Sequence, residues 1–505
     1  MGRFFAREFR LTLATPVALA LILASSLPGV PAAQAIVDPD VAAGEYGIVR
    51  VTAGDEAAVA GFARQAGAED VQALDALHLV TARVSSDALG ALSRHLSVRW
   101  IAADAPVFAL GGGSGKRKNL NGKDTKLSPG VAAIEAPQAW RMATGRGVTV
   151  ALMDSGIAAH PDLGGRVVAR VDFVGEREFE DADKGDPGGH GTHLAGIIAG
   201  QSADGTFSGV APDASLVSLR VLDKVGQGTL RAVMAAFDWL LKNRLAYRVR
   251  VLNISFGTDQ KVSYHQDPLA AAAESAWFAG IVVVVAAGND GKVATPGADP
   301  FVVTVGSFDD QGTLSFSDDR ESSFSAQGPT LDGFTKPDLL APGRRVVSLC
   351  STGSTLDDPD HKVSKLYCKM SGTSVATAFV SGTAALVLER HSNYTPTQVK
   401  SVLAADTRDI EGSSTRVVDA YKAVKERPSS TTNAALKPSK LLIDTLNTQL
   451  GAANTTWENI TWENITWENV SWENVTWENV SWENITWENI SWDALTWETR
   501  VSWAQ

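Results

Sequence analysis

A serine, a histidine and an aspartate, each set among glycines, hold the chemistry latent in this chain. Ser374 lies in Met370-Ser371-Gly372-Thr373-Ser374-Val375-Ala376, His190 in Gly189-His190-Gly191-Thr192-His193, and Asp154 in Val150-Ala151-Leu152-Met153-Asp154-Ser155-Gly156. An unassisted hydroxyl is a weak nucleophile; it needs a base beside it, and the base needs an orienting group. Each segment alone has a blander explanation, because a serine can cap a helix and an aspartate can close a turn. Together they supply nucleophile, base and orienter. Val375, Ala376, Ala378, Val380, Ala384, Ala385 and Leu388 recur at helical spacing. Ser374 is therefore expected at a helix N-terminus, where free N–H groups and the positive dipole end face whatever it attacks.

The elements that must position these groups follow from the texture of residues 131–427. Val148–Met153, Leu216–Leu222, Val249–Ile254, Ile281–Val285 and Val302–Val305 are near-continuous β-branched runs, the pattern of strands buried on both faces. Helical segments at Thr229–Asn243 and Leu269–Ala279 lie between them, so an α/β domain with a mainly parallel sheet is expected. Sites in such sheets lie beyond the carboxyl ends of the strands, where Asp154, Ser255 and Asn289 fall. Upstream, Glu45–Val107 alternates strand, helix, strand, strand, helix, strand, with Leu89, Leu92 and Leu96 on the second helix. That order is the ferredoxin-like α+β arrangement. Residues 111–130, with glycines and the Lys116-Arg117-Lys118 cluster, form a linker open to cutting.

Residues 1–35 carry the marks of an export signal: Arg3, Arg7 and Arg10, then an apolar run Leu11–Leu27, then Ala33-Gln34-Ala35. The protein is thus expected to be secreted, or retained at the cell surface. A formal charge of −12 argues against nucleic acid as a partner. Cys350 and Cys368 are the only cysteines; outside the cell they favour a disulfide, with two free buried thiols as the alternative. Residues 428–453 form a second linker, and 454–505 a tail built on Trp-Glu-Asn-(Ile/Val)-(Thr/Ser). Ten of the 14 tryptophans lie beyond Gly451, with eight Glu and one Asp against a single Arg. Regularly spaced indoles suit stacking on carbohydrate or a cell-surface partner; a solvated acidic extension is the other reading.

The three segments, in the order Asp, His, Ser, closely resemble the subtilisin family of serine proteases over about Val131 to Ala423. Asn253-Ile254-Ser255-Phe256-Gly257, Ala286-Ala287-Gly288-Asn289 and Lys336-Pro337-Asp338-Leu339-Leu340-Ala341-Pro342-Gly343 extend the likeness. The resemblance implies that Ser374 is the nucleophile, His190 its base and Asp154 the orienter. It implies an oxyanion hole from the Asn289 side chain and the Ser374 N–H. Substrate would lie along Ser255, Phe256, Gly257, Ala287 and Gly288, and polypeptides would be the substrates. Residues 36–110 would be an inhibitory propeptide, removed by self-cleavage between Phe108 and Lys126. No cofactor would be needed for catalysis, but structural calcium is implied near Gln201–Thr206, with Ala203 where the calcium-binding loop has Asn. His193 would be a packed structural residue. The contrasting expectation is a surface-binding or matrix protein in which the tail is the functional part.

Overall fold

The β-branched runs and the glycine turns between them become two main sheets, of five and eight strands, with a three-stranded and a two-stranded sheet beside them among the described residues. The computed structural model describes residues 35–110, 129–175, 185–405, 408–429 and 431–442. Nearly all of the expected export signal, the expected processing stretch and the Trp-Glu-Asn repeat lie outside them. No described helix is long and apolar enough to cross a membrane.

The N-terminal unit comprises β1 (Ile36–Val37), β2 (Tyr46–Val51), α1 (Glu56–Gln65), β3 (Glu69–Leu74), β4 (Leu79–Arg83), α2 (Ser86–Leu92) and β5 (Val98–Ala103). Its sheet runs β1-β5-β2-β4-β3, and Val49, Val59, Ala63, Leu92 and Ile101 form its core. Leu96, expected on the second helix, is instead 73% exposed. The helix stops at Leu92 because tight turns through His95 feed the chain straight into β5.

The chain then continues as β6 (Pro106–Ala109), α3 (Pro129–Ala133), α4 (Ala136–Ala139), β7 (Thr149–Asp154), β8 (Val167–Asp172), α5 (His190–Ala199), β9 (Ser215–Arg220), β10 (Gln227–Thr229), α6 (Leu230–Asn243), β11 (Val249–Ile254) and β12 (Phe256–Gly257). It closes with α7 (Pro268–Phe278), β13 (Val282–Ala286), β14 (Val303–Asp309), β15 (Arg320–Glu321), β16 (Leu339–Pro342), β17 (Val346–Leu349), β18 (Tyr367–Met370), α8 (Thr373–Arg390), α9 (Pro396–Ala404) and α10 (Ala420–Lys425). The large sheet runs β15-β14-β13-β11-β7-β9-β8, with β16 beside β14. All its pairings are parallel except β14 with β15. Helix α8 runs through the core against α5 and five strands, so every residue from Thr373 to Leu388 is buried. Its Ala, Ser, Thr and Gly content reflects burial all round rather than a single apolar stripe.

The 428–453 stretch departs from its expected linker character as far as the structure describes it. Ser439 is fully buried; its N–H donates to Glu274 Oε2 on α7 at 2.7 Å, and Tyr264 donates its hydroxyl to Lys437 O at 2.7 Å. The anchor is made through backbone groups, which leave no apolar periodicity to read. Burial pushes the Glu274 carboxyl up, as does the neighbouring Asp299, and the Ser439 N–H pulls it back; losing that donor leaves a buried carboxyl oxygen without it. A chain ending after Pro428 should be less stable by about 1–3 kcal/mol than one ending at Leu442. Equal thermal midpoints for the two would show that the anchor contributes nothing.

Candidate active site

Three elements converge at the carboxyl edge of the large sheet. Asp154 is the last residue of the central strand β7 and is fully buried. His190 opens α5, and Ser374 is the second residue of α8. His190 Nδ1 lies 2.7 Å from Asp154 Oδ1, and His190 Nε2 lies 3.1 Å from Ser374 Oγ. That relay can take the Ser374 proton onto Nε2 while the carboxylate stabilises the imidazolium.

Glycine is required where the turns are tightest. Gly189 has φ +86°, and a Cβ there would lie 2.4 Å from Ser354 Oγ; a Cβ on Gly191 would lie 2.1 Å from Gly156 O. These contacts bring the His190 turn against the Asp154 loop.

One polar group in this network escapes a reading by motif. Asp186, 2% exposed, accepts from Ser155 Oγ at 2.8 Å, Gly189 N at 2.7 Å and Thr192 N at 2.7 Å. Ser155 Oγ in turn accepts from Gly191 N. Asp186 therefore ties the residue after Asp154 to both sides of His190. The only sequence signal is a carboxylate four residues before the histidine. Burial opposes charge on His190, but the charge and hydrogen bond of Asp154, then the charge of Asp186, outweigh it and raise its pKa. The base form exists only above that pKa. Removing the Asp186 charge lowers it, so Asp186→Asn should move the acid limb of the kcat/KM profile to lower pH while reducing the plateau. An unmoved limb with a reduced plateau would leave Asp186 a purely structural role.

His193 is fully buried on the far side of the same turn, with Nε2 3.1 Å from Val346 O. Burial drives its pKa down to about 3, which matches a packed neutral ring.

Asn289 is held from α8: its Oδ1 accepts Thr373 N at 3.0 Å, and Gly288 N donates to Thr373 Oγ1 at 3.1 Å. Asn289 Nδ2 donates to Leu110 O. That carbonyl belongs to the segment just after β6, which lies antiparallel between β10 and β12. Leu110 N donates to Ser255 O at 2.9 Å, and Ala109 N to Gly226 O at 2.8 Å. An extended peptide thus occupies the groove, with its last described carbonyl on Asn289. Of the expected substrate contacts, Ser255 and Gly257 meet this strand through the backbone. Phe256 pairs with Ala109, but its ring is fully buried. Ala287 is engaged elsewhere, with Val305 O and Ala294 N. The second wall, Gly226–Thr229, had no motif to announce it. There Gly228 leaves room for Val107, whose Cγ2 lies 3.2 Å from where a Cβ would be.

Cys350 and Cys368 form a disulfide. Within the loop it closes, Leu356 N donates to Gly188 O and Thr355 N to Pro187 O, so the loop braces the His190 turn. The loop expected to suit calcium does not fit the ion. Asp204 Oδ1 accepts from Ser202 Oγ, Thr206 N and Thr206 Oγ1, and Ala203 offers no side-chain oxygen. The neighbouring Asp162 carboxylate accepts the Tyr367 hydroxyl at 2.6 Å. Calcium needs six to eight oxygens; here the carboxylates face the protein's own donors.

The model of the subtilase family matches residues 145–429, more than half of the chain. The chain is 42% identical over 277 residues to the serine protease AprX of Bacillus subtilis (strain 168), covering 52% of this chain and 62% of that protein. It is 33% identical over 304 residues to thermitase of Thermoactinomyces vulgaris, covering 59% and 95% respectively. The solved structure of fervidolysin from Fervidobacterium pennivorans superposes with a TM-score of 0.62 at 22% identity, over 78% of this chain and 63% of that one. The last likeness concerns the fold alone.

Proposed function

This chain belongs to the subtilase family, and from that membership we propose that it is an exported serine endopeptidase that matures by cutting its own chain between Leu110 and Gly111. The observation that carries this reading is the Leu110 carbonyl on Asn289 Nδ2, in a strand held between β10 and β12. In the reaction, Ser374 Oγ attacks the carbonyl carbon of the bound peptide as His190 Nε2 takes its proton. Asn289 Nδ2 and the Ser374 N–H receive the oxyanion; the N–H is available because the first turn of a helix has no intrahelical acceptors. His190 then protonates the leaving amine, and water attacks the acyl-enzyme with His190 again as base. No cofactor enters these steps.

After cleavage, residues 36–110 would remain as a product-like inhibitor until released. The signal pattern of residues 1–35 and the disulfide support export. The hydrogen-bonded Asp154–His190–Ser374 relay supports an active enzyme over a binding protein on a protease scaffold. The strand also suggests which peptides fit: an aliphatic residue at the cut, as Leu110, and a β-branched one three residues earlier, as Val107, which is fully buried.

Mass spectrometry of the released N-terminal fragment should find Leu110 at its C-terminus. Leu110→Asp, which sets a charge where the half-buried leucine side chain lies against Gly257, should slow processing by roughly 10- to 100-fold, the equivalent of about 1–3 kcal/mol. A fragment ending elsewhere would discard this bond and leave the enzyme reading standing.

A further inference from the structure

The N-terminal unit covers one face of the catalytic body through carboxylates at the two ends of α6 and an apolar seam between them. At the start of α6, Asp104 Oδ1 accepts Arg231 N at 2.7 Å, and Ala105 O accepts Leu230 N. The Arg231 side chain approaches the same carboxylate at 3.8 Å. At the other end of α6, Lys242 Nζ lies 3.5 Å from Asp75. Between these ends Trp100 and Leu77 line a seam against Met234, Ala271 and Ala272. Release of residues up to Leu110 removes all of these partners. It uncovers a helix N-terminus, Arg231, Lys242 with its remaining partner Asp238 at 2.8 Å, and an apolar strip.

The C-terminal end of the described chain already lies in that seam. Leu441 and Leu442 line it beside Met234 and Trp100. Leu442, the last described residue of this segment, therefore lies at the face that the N-terminal unit covers. Residues 443–456 precede the first repeat tryptophan, Trp457, and can span up to about 50 Å when extended, so reach is no obstacle. Each repeat carries an indole and a carboxylate, the two kinds of group that the N-terminal unit sets separately on this face, Trp100 in the seam and Asp75 and Asp104 at the ends of α6. The tail carries eight Glu and one Asp against one Arg, opposite in sign to Arg231 and Lys242.

We infer that the Trp-Glu-Asn tail is the second occupant of this face: after self-processing it takes the place of the N-terminal unit along α6 and α7 of its own chain. The inference rests on the self-processing reading. Docking there leaves the groove free, because β10 and β12 lie outside the seam, and it hinders rebinding of the released inhibitor.

The test compares matured full-length enzyme with a chain ending at Leu442, once intact mass has shown residues up to Leu110 absent from both. Carbodiimide coupling should join Lys242 to a tail glutamate within a monomer. A tail docked for about 90% of the time should slow hydroxyl-radical oxidation of Met234 about tenfold relative to the truncated enzyme. Equal Met234 labelling without a Lys242–tail link overturns the inference. A link found only in dimers overturns it too, because the occupant is then a second copy. If residues up to Leu110 stay attached, self-processing has failed on its own; cutting the 111–128 stretch with an added protease and removing the fragment then tests the docking by the same two readouts.

Discussion

Ser374→Ala should keep residues 36–110 attached and lower peptide hydrolysis by roughly 10⁶-fold, the scale known for loss of the nucleophile in subtilisin itself. The alanine has no Oγ, so no acyl-enzyme forms, and His190 has no proton to accept. What remains is catalysis over water from the oxyanion donors and peptide binding, on the order of 10³–10⁴. The variant should fold normally, because Ser374 is small and buried, and the change removes only a hydroxyl hydrogen-bonded to His190. Its thermal midpoint checks that point, so a loss of processing is not mistaken for a loss of fold. Two readouts then separate two claims. Loss of peptide hydrolysis addresses the nucleophile, and retention of the N-terminal unit addresses self-cleavage. Normal maturation of Ser374→Ala in a host without other proteases would end the self-cleavage reading while leaving the nucleophile in place.

What the sequence shows and what it hides divide along physical lines. Strands β11 and β13 were legible because a strand buried on both faces must be a β-branched run. Asp154, His190 and Ser374 were legible because the backbone around each needs glycine, and the glycines form motifs. Asp186 was not, since its role depends on three donors from Ser155, Gly189 and Thr192 converging in space. The Ser439 anchor was hidden because it works through main-chain groups, which every residue carries. The groove wall at Gly226–Thr229 was hidden for the same reason: it recognises β6 by backbone pairing. Leu110 lacks any distinguishing local pattern, and only its carbonyl on Asn289 singles it out. The extent of α8, read as starting at Ser374 and running to Leu388, matches Thr373–Arg390 to within two residues, because its glycine-bounded start and apolar spacing are both local.

Asn289 offers the sharper test of transition-state chemistry, because its two amide ends do different things. Oδ1 accepts Thr373 N and fixes the side chain to the start of α8. Nδ2 points at the carbonyl oxygen of the bound strand. Asn289→Leu keeps the branching of the side chain and removes both functions. Turnover should fall by roughly 10²–10³, or about 2.7–4 kcal/mol, the range known for this donor in subtilisin. KM for a small peptide should change much less, because the donor's hydrogen bond strengthens as negative charge develops on the oxygen. Asn289→Asp separates the two roles: it retains an acceptor for Thr373 N but sets a carboxylate where the oxyanion forms. If Nδ2 is the working group, the aspartate variant should turn over no faster than the leucine variant above neutral pH, despite its better-held side chain. Recovery of most activity in Asn289→Asp would instead mean that anchoring the start of α8 is the larger contribution, and that the oxyanion is held chiefly by the Ser374 N–H.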